Sequence, residues 1–132
     1  MNTQPALKEW RVVVSVEENE KGNTTPCGTK SVTPSKILIA KLENSDQEVG
    51  RAWLSMPKSE RGDGAQGCLV LGKVETMAPD MEIVKLVLMA KAQELLPKNP
   101  IVVSYDGEMP QGVKAERYAK DTYILNPRAA FT

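Results

Sequence analysis

Arg11, Ser15, Lys41, Arg51, Trp53, Ser55 and Lys73 are the side chains whose types and spacing best suit chemistry with another molecule. They recur at alternate positions in β-branched, extended-looking segments, so they can share one face of a sheet. Cations neutralise phosphates, an indole plane stacks on an unpaired base, and hydroxyls reach base edges or a 2′-OH, a combination that suits single-stranded RNA. The same pattern also fits a plain solvated sheet face. Histidine is absent, which removes the commonest neutral-pH acid/base group and the commonest zinc ligand, so neither triad nor metal chemistry is expected. Lys plus Arg and Asp plus Glu balance at 17 each, so attraction to a polyanion has to come from the distribution of charge rather than its sum.

The elements that position these residues follow from pattern. "EWRVVVSVEE" alternates Val12, Val14 and Val16 against Arg11, Val13 and Ser15 and reads as a strand. The Gly- and Pro-punctuated segment "EENEKGNTTPCGTKSVTPS" reads as a loop, and "SKILIAKLE" as a second strand before the turn "NSD". "VGRAWLSMP" sets Ala52, Leu54 and Met56 opposite Arg51, Trp53 and Ser55; the charged "KSERGDGAQG" is an exposed loop, and "CLVLGKVET" is a fourth strand. Four strands without crossover helices predict an antiparallel meander. The Gly-rich run precedes a strand and not a helix, so it is no phosphate loop. Cys27 and Cys68 lie far apart without a CxxC partner and read as plain structural thiols.

A single long helix is predicted in "MEIVKLVLMAKAQELL", with Pro79, Asp80 and Glu82 at its start and Pro97 past its end. Ile83, Val84, Leu86, Val87, Leu88, Ala90 and Leu95 cover more than half its circumference, wider than one sheet face usually demands. Two packings account for that width: the chain's own sheet and tail, or its own sheet and a second subunit. "PIVVSYDGE" and "DTYILNP" then read as a C-terminal β-hairpin joined through "MPQGVKAERYAK". The 132 residues suit a single α+β domain spanning 1–132, with no apolar signal core and no run of about 18 apolar residues. No cofactor and no membrane partner are expected.

Two family resemblances bear on function. "MEIVKLVLMAKAQELL" followed by "IVVSYDG" resembles the part of the ribonuclease H fold in which carboxylates hold catalytic metal ions. That resemblance implies Glu82 and Asp106 as Mg²⁺ ligands, with Glu17 or Glu18 as a third, for phosphodiester cleavage. As ordinary structure, Glu82 favours a helix N-terminus and Asp106 before Gly107 is a turn pair.

Three segments resemble the coat proteins of single-stranded RNA bacteriophages: "PALKEWRVVVSV" a central sheet strand, "VETMAPDMEIVKLVLMAKAQELLPKNPI" the last sheet strand and long helix, and "KDTYILNPRAA" one strand of a short hairpin. The hairpin follows the helix here, where most of that family has it N-terminal, as a circular permutation would place it. The resemblance implies an intertwined homodimer with sheets joined edge to edge and each helix crossing onto its partner. Ile83, Val84, Val87 and Leu88 then form the dimer interface, and Lys58, Arg61 and Asp63 lie in a loop making contacts between dimers. It further implies an icosahedral virion capsid, made in a host cytoplasm, with genomic RNA on the inner sheet face and no catalytic residue. Ser15 matches an RNA-facing hydroxyl, while Val13 stands where Thr is common. A small dimeric protein with no nucleic-acid role is the remaining expectation.

Overall fold

The computed structural model describes residues 12–22, 24–27, 30–43, 47–56, 67–72, 81–105, 109–110, 113, 115–119 and 121–125. The strands are β1 (Val12–Glu18), β2 (Thr25–Cys27), β3 (Lys30–Val32), β4 (Lys36–Leu42), β5 (Glu48–Ser55), β6 (Gly67–Leu71), β7 (Ile101–Ser104), β8 (Ala115–Ala119) and β9 (Thr122–Leu125). One helix, α1 (Met81–Leu95), lies between β6 and β7 among the described residues. Seven strands form one mostly antiparallel sheet in the order β1-β4-β5-β6-β7-β9-β8, and β2 pairs with β3 apart from it. The fold is α+β.

The meander runs through β1, β4, β5 and β6, each antiparallel to the last. It departs from a pure meander at β7, which pairs parallel to β6. Parallel neighbours need a crossover, and α1 is that crossover. "PIVVSYDGE" therefore joins the main sheet through β7, beside β6 on one side and β9 of "DTYILNP" on the other. β9 pairs antiparallel with β7, and the polar segment between them holds a further strand, β8, paired to the outer side of β9. The first long loop likewise contains the β2–β3 pair.

Register sorts the two sheet faces. Leu38 pairs with Ala52 and Ala52 with Leu71, while Leu54 pairs with Leu69 and Leu69 with Val103, so these side chains share one face. All are buried, and α1 lies over them against β1, β4, β5 and β6. Val84, Leu88, Met89 and Ala92 of α1, with Leu96 just past its end, join this core. Gly67 of β6 makes room for the end of the helix, since a Cβ there would lie 2.3 Å from Leu96 Cδ1. Lys85 Nζ sits 4.6 Å from the Tyr105 ring centroid and ties the early helix to the end of β7. At the other end the last turn carries no basic residue. Buried Gln93 serves there, its Nε2 donating to the Leu96 carbonyl at 2.8 Å and the Asn99 carbonyl at 3.4 Å.

The centre of the wide apolar stripe is thus used within the subunit. Val84 and Leu88, expected at a dimer interface, are 0% exposed in the isolated chain, and Ile83, Leu86 and Val87 are half-buried. The exposed large hydrophobics among the described residues are Val13 at 50% and Val16 at 36%, both on β1 and neither on α1. Val84 and Leu88 are therefore core residues of their own subunit, buried where α1 crosses β1, β4, β5 and β6. No helix among the described residues is long and apolar enough to cross a membrane.

Candidate nucleic-acid interface

The face turned away from α1 is laid out by the same registers. Ser15 pairs with Ile39 and Ile39 with Arg51; Val13 pairs with Lys41; Glu17 pairs with Ile37 and Ile37 with Trp53. Trp53 pairs with Val70, and Ser55 with Cys68. Five residues expected on an RNA-binding face, Ser15, Lys41, Arg51, Trp53 and Ser55, therefore lie on one side of the sheet. Arg11 and Lys73 of that group fall outside the described residues, as do Lys58, Arg61, Asp63 and Asp106.

This face has an apolar floor and polar projections. Ile39 is only 5% exposed and Ile37 is half-buried beneath the neighbouring side chains. Ser15 is exposed, with its Oγ 3.5 Å from the Ile39 carbonyl it donates to. Lys41 has no ion-pair partner among the described residues. Arg51 is different: its Nε and Nη2 donate to the Glu48 carboxylate at 3.1 and 2.7 Å. That hydrogen bond, with the charges of Glu48 and Glu17, raises the Arg51 pKa above its ordinary value despite some burial. Arg51 is a charged, oriented plane more than a free cation.

Trp53 is placed by a glycine. A Cβ at Gly72 would lie 2.6 Å from Trp53 Cζ3 and 3.0 Å from the Arg51 carbonyl oxygen, so the indole rests directly on the Gly72 backbone. Gly72 N donates to that same Arg51 carbonyl at 2.8 Å, which fixes the separation. Ser55 sits at the border of the open area, beside Cys68. β2 lies against β6 and β7. Cys68 is disulfide-bonded, which corrects the expectation of plain thiols; the other cysteine of the chain, Cys27, is in β2. The signal missed was the packing of β2 against β6, which brings segments about 40 residues apart together without any local motif.

Beside Trp53 the face dips into a hollow of about 570 Å³ lined by Glu17, Glu18, Asn19, Glu20, Lys21, Ile37, Arg51 and Trp53. Its rim is the turn after β1, closed by Gly22 N donating to the Asn19 carbonyl at 3.2 Å, with Gly22 in the left-handed region at φ 64°. Asn19 anchors the turn, its Nδ2 donating to the Pro34 carbonyl at 2.8 Å and its N to the Ser35 carbonyl at 3.1 Å. Glu18 pairs with Lys36. The acidic rim was legible in principle, since strict alternation puts Glu17 with Val13 and Ser15.

The carboxylate set implied by the ribonuclease H resemblance does not assemble as expected. Glu17 and Glu18 end β1, the edge strand, and β1 runs antiparallel to β7, so they lie at the opposite end of the sheet from the end of β7. Four strand spacings of about 4.8 Å add roughly 19 Å across the sheet. No ion bridges that distance, so neither residue reaches the C-terminal end of β7. Glu82 is exposed in the first turn of α1, at the β7 C-terminal end of the sheet. No cluster of three His, Cys, Asp or Glu side chains able to hold a metal ion occurs among the described residues. No family model matches the chain, and neither a curated protein nor a solved structure matches it.

Proposed function

We propose that this chain is a self-assembling coat-type protein that binds single-stranded RNA on the sheet face opposite α1. The observation that carries the reading is the gathering of Ser15, Lys41, Arg51 and Trp53 on the open side of β1, β4 and β5. Their roles differ. Lys41, free of ion pairs among the described residues, meets phosphate; Trp53 and the Glu48-held Arg51 offer stacking planes; Ser15 offers a hydroxyl. Copies associate through β1 and close into a shell, the capsid of a virion, with this face toward the genome.

Mutation separates these roles. Lys41→Ala is expected to reduce the slope of log K against log salt by about 0.7, the value for one phosphate contact on a single strand. Arg51→Ala is expected to weaken binding with little change in slope, because its charge is already matched by Glu48. Equal RNA affinity in both variants and the wild type, measured by fluorescence anisotropy over a salt series, would mean that another surface binds RNA.

Self-association rests on the edge strand. β1 pairs on one side with β4 and borders no other strand among the described residues, and its sequence VVVSVEE carries no Pro or Lys to discourage pairing. It also carries both exposed large hydrophobics. Two copies of β1 running antiparallel extend the sheet across a two-fold axis and keep Glu17 and Glu18 of one copy away from those of the other. Val13→Lys with Val16→Lys is expected to leave the fold intact and yield monomers by size-exclusion chromatography, with no particles by electron microscopy. A wild type that is monomeric at all concentrations and forms no particles removes the coat reading.

A further inference from the structure

We infer that the hollow beside Trp53 is a pocket for a guanine base of the bound single strand; this rests on the RNA-binding reading above and deepens it. At about 570 Å³ the hollow is of the size that holds a small organic ligand. Ile37 and the indole of Trp53 supply the apolar surface against which a base ring packs. Its polar groups select among bases. Glu18 is occupied by Lys36 and Arg51 by Glu48, whereas Glu17 and Glu20 have no hydrogen-bond or ion-pair partner among the described residues. A carboxylate only accepts hydrogen bonds, so it demands a ligand edge that only donates.

Guanine is the base with such an edge. Its N1–H and N2–H₂ lie side by side and satisfy both oxygens of one carboxylate. Adenine and cytosine present one amino group next to a ring acceptor, and uracil presents one N–H between two carbonyls, so each sets an acceptor against Glu17. On the adjoining edge, next to N1–H, guanine carries O6 and N7, acceptors that a lysine ammonium serves. Lys21, also without an ion pair among the described residues, stands on the rim of the same hollow. A carboxylate without a hydrogen-bond partner and an ammonium without an ion pair among the described residues line one apolar floor, and together they complement the donors and acceptors of guanine.

The test uses the full-length protein and six-nucleotide uridine strands carrying one central G, A, C or U, followed by fluorescence anisotropy. The G strand is expected to bind about tenfold tighter than the other three, the discrimination of one good bidentate contact. Glu17→Gln is expected to abolish that preference, with unchanged circular dichroism showing the fold to be intact. Equal affinity for all four strands overturns the guanine pocket and leaves the RNA-binding face standing. Failure of every strand to bind removes both readings. Displacement of the G strand by low concentrations of arginine amide, with no base preference, identifies a cation site and overturns the guanine assignment.

Discussion

Replacing Leu88 with alanine is expected to lower the free energy of unfolding by about 3 kcal/mol, and Leu88→Asp to leave no folded chain at any protein concentration. Leu88 is completely buried within the subunit, in one cluster with Leu38, Leu54, Leu69 and Ile101. Removing its isobutyl group forfeits the transfer energy of the buried carbons and leaves a cavity that sheet and helix close only in part. A carboxylate at that position has no buried partner to offset its desolvation, and a domain of this size has only about 5–15 kcal/mol to lose. The expectation would be different at a dimer interface. There Leu88→Asp would give soluble, folded monomers, and the stability of the wild type would rise with its concentration. Circular dichroism and urea unfolding over a wide range of protein concentration distinguish the two. A folded monomeric Leu88→Asp protein would mean that α1 faces a partner.

The helix shows how far pattern alone reaches. Its existence and its end before Pro97 were legible, because proline and periodicity act within one or two turns. What its broad apolar surface covers was not. Ile83, Leu86 and Val87 stay half-buried at the flanks of α1, which packs across β1, β4, β5 and β6. The decision lay in how β1, β4, β5 and β6 come side by side beneath it, contacts between segments far apart in the chain that no local signal announces. The facing of β5 was legible for the opposite reason: strict alternation separates Ala52 and Leu54, under the helix, from Arg51 and Trp53 on the other face. Among the candidate site residues, alternation therefore located Ser15, Lys41, Arg51 and Trp53 together. It could not show that Glu48 already holds Arg51, because that ion pair depends on the irregular pairing after Ala40, where Lys41 meets Glu48.

Gly72→Ala is expected to cost about 2–3 kcal/mol of stability and to weaken RNA binding as much as Trp53→Ala does, although position 72 presents no side chain to a ligand. One methyl group has to be placed 2.6 Å from Trp53 Cζ3, 3.1 Å from Cη2 and 3.0 Å from the Arg51 carbonyl oxygen. The backbone at 72 cannot retreat without breaking its 2.8 Å hydrogen bond to that carbonyl, so the indole yields instead. A displaced ring no longer stacks at the edge of the hollow, and base stacking of this kind is worth about 1–3 kcal/mol. Two measurements identify the cause. In a Trp10→Phe background the Trp53 emission should shift to the red in Gly72→Ala, as the ring leaves the sheet for water. The double variant Gly72→Ala with Trp53→Ala should regain stability over Gly72→Ala with Trp53 retained, because the clash is gone, while RNA affinity stays low. If instead Gly72→Ala lost stability but kept both its emission spectrum and its affinity for RNA, the indole would not be what the strand reads, and the binding surface would have to be sought nearer Lys41 and Ser15.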